Sequence, residues 1–264
     1  MFQNKFLYSK TNLAFSLFFL FIISSTNLFA ETDLLKVNWK FQGITGKFDR
    51  ASLQRGYQVY NEVCSSCHSM RLLSYRNLGE KGGPEFSADQ VKAIAATFEV
   101  TDGPDNQGEM FTRPGKPSDK FVLPYPNVQA SKAANGGAYP PDMSVLVKAR
   151  KGGANYIYSV LMGYEEPPQD FKLEEGVYYN KYMDGNKIKM SKPLLDGLVD
   201  YADGTNATED QMAKDVTTFL AWAADPHLEA RHKMGIKVLI FLIILTGLVY
   251  LSMKRLWSRI DPEV

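Results

Sequence analysis

Cys64-Ser65-Ser66-Cys67-His68 decides the reading of this chain. Two thiols separated by two residues, with an imidazole directly after them, form the attachment signature of a c-type haem. The spacing answers to geometry. Both sulfurs must reach the two vinyl groups on one edge of a porphyrin, and the adjacent imidazole then falls beneath the iron as an axial ligand. Cys64 and Cys67 are the only cysteines in 264 residues, so neither belongs to a larger disulfide framework. A structural zinc site needs four Cys or His ligands; beyond this motif only His227 and His232 remain, far along the chain. A thioredoxin-like pair wants a βαβ context that is absent, and a disulfide across two residues closes a loop too small to stabilise much.

Outward from the motif, the pattern is mainly α. Asp49 can cap a helix from Arg50 to about Val63, with Leu53, Tyr57, Tyr60 and Val63 on one apolar face. That helix delivers Cys64. Ser87 with Gln90 makes a capping box for a helix carrying Val91, Ile94, Ala95 and Phe98. Thr101 to Pro126 reads as loop, rich in Gly, Pro, Asp and Asn. The turn cluster Asn135-Gly-Gly-Ala-Tyr-Pro-Pro141 precedes helices expected at about Met143 to Lys151 and at Ala154 to Met162. Thr208 with Gln211 forms a second capping box, opening a helix with Met212, Val216, Phe219, Leu220 and Trp222 that stops at Asp225-Pro226. No repeat or strong strand alternation is present. A helix before the haem motif and another near the domain's end are what a small, class I cytochrome c has, where the two cross and pack. The expected fold is therefore a class I cytochrome c-like haem domain with long loop insertions.

Two apolar segments bound that domain. Residues 1–30 resemble a signal peptide: Lys5 and Lys10 form a basic start, Leu13 to Ile23 an apolar stretch, and Ala30 a plausible last residue before cleavage. Ile236 to Met253 carries one charge, Lys237, and is long enough to span a bilayer. Arg231, His232 and Lys233 precede it, and Lys254, Arg255 and Arg259 follow, so basic flanks leave orientation open. Export of the body decides it: residues 31–230 outside the membrane in the periplasm, 236–253 as a single-pass anchor in the inner membrane, 254–264 as a cytoplasmic tail. The whole chain holds 30 Lys and Arg against 29 Asp and Glu, but the exported body holds 22 against 27. An acidic redox domain attracts a basic partner, and it is a poor match to nucleic acid.

The sixth ligand is less direct. Haem c held by His and Met has a raised potential. Met70 lies on the His68 side of the ring, and Met212 sits on the apolar face of a helix, where packing explains it. Met110 falls in a polar insertion. Met143, Met162, Met183 and Met190 remain, and the irregular segment Ile188-Lys189-Met190-Ser191-Lys192-Pro193 before the last body helix favours Met190 over Met183.

Several blocks resemble one family. They are Arg55-Gly-Tyr-Gln-Val-Tyr60 with Cys64-Ser-Ser-Cys-His-Ser-Met70, then Ala134-Asn-Gly-Gly-Ala-Tyr-Pro-Pro-Asp142 and Val147-Lys-Ala-Arg-Lys-Gly-Gly153. Gly163-Tyr-Glu-Glu-Pro-Pro168, Glu175-Gly-Val-Tyr-Tyr-Asn180, Asp203-Gly-Thr205, Ala213-Lys-Asp-Val216 and Phe219-Leu-Ala-Trp-Ala223 follow in order. Together they resemble cytochrome c1, the haem c subunit of ubiquinol–cytochrome c reductase. The resemblance implies one covalent haem c with His68 and Met190 as iron ligands. It implies that Arg150 faces a haem propionate and that Asn135, Pro140, Pro141 and Tyr156 line the pocket. Lys189 stands where a glycine is common. Two cysteines that some relatives bridge are missing, so no disulfide is expected. The implied role is an electron-transfer subunit, not catalytic alone, taking one electron from a Rieske iron–sulfur protein and passing it to a soluble or membrane-bound cytochrome c. Cytochrome b and membrane lipid would be its neighbours, in a dimeric complex. Two alternatives stand beside it: a haem c subunit of another respiratory assembly, such as a terminal oxidase, and a peroxidase or gas sensor, which needs an open sixth position.

Overall fold

The computed structural model describes residues 33–259. The expected signal peptide and the end of the tail lie outside the described residues. Among the described residues, six α-helices carry the fold: α1 Arg50–Val59, α2 Ala88–Ala96, α3 Val128–Ala134, α4 Ala154–Met162, α5 Glu209–Ala224 and α6 Leu228–Trp257. Two small antiparallel hairpins complete it: β1 Glu99–Asp102 with β2 Phe111–Pro114, and β3 Tyr178–Tyr179 with β4 Lys187–Ile188.

The crossing of α1 and α5 is the centre of the body. The Asp49 side chain accepts from the Ser52 amide, as an N-cap should. Gly56 makes the close approach possible: a Cβ there would stand 2.1 Å from the Asp215 carbonyl oxygen and 2.7 Å from Phe219 Cβ. Around this crossing Tyr57, Tyr60, Phe121 and Phe219 pack in tilted and edge-on pairs, with Tyr75 stacked on Phe121 at 4.8 Å. Met212 is fully buried on α5. Beside the crossing, Asp215 accepts from Ser52 Oγ at 2.6 Å, Arg55 Nε at 2.8 Å and Gln211 Nε2 at 2.9 Å. Gln211 thus turns toward Asp215. At Thr208 the structure gives only the cap itself, its side chain accepting from the Gln211 amide, and not the reciprocal box expected there. At Ser87 the full box with Gln90 forms.

Three local expectations are corrected. Met143 to Lys151 is a run of turns rather than a helix. Its amides alternate between three- and four-residue bonds, Asp142 takes the Ser144 amide, and Gly152 and Gly153 have positive φ. Within the segment expected to be loop, β1 and β2 pair, braced by Arg113 to Asp102 and by Arg113 to Asp119 at 2.7 Å. Helix α3, capped by Asn127 on the Ala130 amide, adds an element not expected from the pattern.

Helix α6 has 30 residues, about 45 Å at 1.5 Å per residue, against an apolar bilayer core of about 30 Å. None of its residues is buried. Its first turn is clamped to the body: Arg50 donates through both terminal nitrogens to Glu229 at 2.7 and 3.0 Å, and Glu229 also accepts from the Phe48 amide. Arg231 forks onto Asp225, which Lys148 also reaches at 3.0 Å.

Candidate haem-binding site

Helix α1 does not stop at Val59; it widens into a π-helical turn, Tyr60–Cys64. Such turns break the regular ladder and recur at functional sites. Here it ends on Cys64, after which the His68 amide bonds back to the Cys64 carbonyl at 2.9 Å. This compact turn sets the spacing of the two thiols. Both are free and partly exposed. Burial, and then the neighbouring Cys67, push the Cys64 thiol up to about 12. Among the described residues, no three Cys, His, Asp or Glu side chains converge to hold a metal ion. Among the described residues the zinc alternative has no assembled cluster.

His68 is oriented from behind. Its Nδ1 lies 2.9 Å from the Pro141 carbonyl oxygen. A carbonyl only accepts, so Nδ1 carries the proton and Nε2 is left with its lone pair, the arrangement of a metal-ligating histidine. Burial lowers its pKa against the opposing pull of that bond, which keeps the ring neutral. The whole strand after the motif is laced to the segment after Pro141. Ser69 Oγ and the Arg71 amide donate to Asp142 Oδ2, the Met143 amide donates to the Ser69 carbonyl, and the Leu72 amide donates to Ser144 Oγ. Tyr60 Oη donates to the His68 carbonyl at 3.2 Å.

Met190 lies partly buried at a bend just after β4. The Tyr164 hydroxyl donates to its carbonyl at 3.1 Å, and Lys189 Nζ donates to the Gly136 carbonyl at 2.9 Å. Residues 135–141 therefore bond to His68 through Pro141 and, through Gly136, to Lys189 beside Met190. Pro140 lies half-buried between them. Asn135 ends α3, its Nδ2 donating to the Ser131 carbonyl at 2.7 Å. Tyr156 on α4 has its hydroxyl 3.3 Å from Met183 Sδ, which gives Met183 a partner of its own. Burial raises the Tyr156 pKa, and the nearby Arg150 charge partly offsets it. Arg150 is exposed, donates to the Ala149 carbonyl, and has no carboxylate partner among the described residues. Its guanidinium keeps donors for an acidic group. Two thiols at fixed spacing, a neutral imidazole with a free Nε2, a loop thioether and a cation suit haem c as a set.

Sequence reasoning missed three contributors. Tyr164 was visible only as part of the Gly163–Pro168 block, Gly136 only as turn chemistry, and Asp142 only beside two prolines. Their contacts span long stretches of chain, and nothing in their own neighbourhoods announces them.

The profile of the Cytochrome C1 family matches residues 39–260. A Solanum tuberosum protein named cytochrome c1-2, heme protein, mitochondrial, is 52% identical over 83% of this chain and 84% of its own length. Cytochrome c1 of Rhodospirillum rubrum is 47% identical over 86% of this chain and 88% of its own. A Bradyrhizobium diazoefficiens protein named cytochrome b/c1 is 49% identical over 83% of this chain, which spans only 35% of that longer protein.

Proposed function

The chain belongs to the cytochrome c1 family, and from that premise we propose that it is the membrane-anchored electron-transfer subunit of a cytochrome bc1 complex. The observation that carries the site is the His68 Nδ1 bond to the Pro141 carbonyl, which fixes a neutral imidazole beside two free thiols. When bound, haem c supplies a one-electron ferric/ferrous couple. The protein's own residues do the rest. Cys64 and Cys67 would hold the group covalently, and His68 and Met190 would ligate its iron. Arg150 offers a cation to a propionate, and Asn135, Pro140, Pro141 and Tyr156 line the pocket. No side chain need move a proton.

The subunit takes one electron from a Rieske iron–sulfur protein and passes it to a soluble or membrane-bound cytochrome c, beside cytochrome b in a dimeric complex. Residues 1–30 direct export and are removed, residues 31–230 stand in the periplasm, 236–253 cross the inner membrane, and 254–264 face the cytoplasm. The apolar, unburied α6 supports the anchor. Purification of the full chain in mild detergent tests the assignment. Recovery with a b-type cytochrome and a Rieske centre is expected; recovery with copper oxidase subunits would overturn it.

A further inference from the structure

Lys189 immediately precedes the candidate ligand Met190, and its ammonium crosses to the Gly136 carbonyl at 2.9 Å. Gly136 and Gly137 both have positive φ, and a Cβ on Gly137 would come within 3.9 Å of Lys189 Nζ. This left-handed turn presents its carbonyl to the lysine. The other supports of the loop lie at its ends: the Tyr164 hydroxyl on the Met190 carbonyl, the two-residue ladder of β3 and β4, the Asn186 side chain on the Asn180 and Lys181 carbonyls, and Lys192 paired with Glu209 at 2.7 Å. A loop held at its ends opens locally at low cost, so one charge-assisted bond weighs heavily in its closure. The partner segment is the one whose Pro141 orients His68.

We propose that Lys189 is a positioning residue, a latch that ties the Met190 loop to the Gly136 turn and so controls how often the iron's sixth position is open to outside ligands. The proposal rests on Met190 as the sixth ligand. A foreign ligand binds only the open form, so its apparent affinity scales with the open fraction. Loss of the bond should raise that fraction about tenfold.

The test is imidazole titration of the ferric, membrane-purified protein, followed by absorbance. Lys189→Met should bind imidazole about tenfold more tightly, and Lys189→Arg, which keeps a donor, should bind it nearly as weakly as the native protein. Lys214→Met removes the same charge from a lysine paired with Asp210 at 2.7 Å within α5, and should leave the affinity unchanged. Amide exchange over residues 186–191 should quicken in Lys189→Met alone. Equal imidazole affinity in Lys189→Met and the native protein, or an equal gain in Lys214→Met, would overturn the latch. Met190→Leu separates the two claims. An unchanged spectrum and affinity in that variant would overturn the ligand assignment itself, whereas an opened site in Met190→Leu with no effect of Lys189→Met would overturn the latch alone.

Discussion

Gly56 on α1 lies against the carbonyl of Asp215 on α5, so close that no side chain fits between them. The two helices can cross only because that position lacks a Cβ, and the haem motif follows directly from the helix so placed. Gly56→Ala should destabilise the domain by about 3 kcal/mol through overpacking. Denaturant unfolding checks it, with Gly235→Ala as the neutral comparison, since a Cβ at Gly235 meets nothing within 4 Å.

Asp215 has a second role at the same crossing. Its side chain is fully buried and satisfied by Arg55, Ser52 and Gln211. Asp215→Ala would leave Arg55 with one buried partner missing and should cost ~3–5 kcal/mol. Asp203, the more exposed partner of Arg55, should matter far less. Unfolding midpoints of the two variants give the comparison, and equal losses would contradict the account.

The clamp at the start of α6 should loosen in acid. Arg50 holds Glu229 below its usual 4.5, and Arg231 holds Asp225 below its usual 3.8. For depressed carboxylates, the folded state binds fewer protons than the unfolded one in this range. Their contribution is complete above the ordinary values and is lost as pH falls through them toward the lower folded ones. Amide protection at Leu228–Arg231, corrected for intrinsic exchange, should fall below about pH 4.5. Loss of protection on raising the pH from 6 would contradict this.

The anchor should be separable from the haem domain. Because every residue of α6 beyond Lys233 is exposed, a chain ending after Lys233 keeps both clamps and exposes no core. It should appear in the soluble fraction with an unchanged haem spectrum. Fractionation with absorbance checks both parts.

What was legible in the sequence follows from the range of the contacts. Asp49, Ser87 and Thr208 mark helix starts because a cap acts over three residues, and α1, α2 and α5 begin where those caps stand. The β1–β2 hairpin escaped because its strands are four residues long and no position in them is fully buried, leaving too little apolar pattern to read. Met143 to Lys151 has helical composition, but Asp142 and the paired glycines at 152 and 153 impose turns. The motif Cys64–His68 declared the cofactor at once. The bond from His68 to Pro141 spans 73 residues, and the bond from Lys189 to Gly136 spans 53, so neither was visible before the fold.

The central claim is that His68 and Met190 would both ligate the iron of a bound haem c and leave no position for a gas. Carbon monoxide added to the dithionite-reduced, detergent-purified protein tests it most directly. The account predicts an unchanged spectrum for the native protein, and a carbon monoxide complex with a lowered midpoint potential for Met190→Leu. Rapid carbon monoxide binding by the native protein would contradict it.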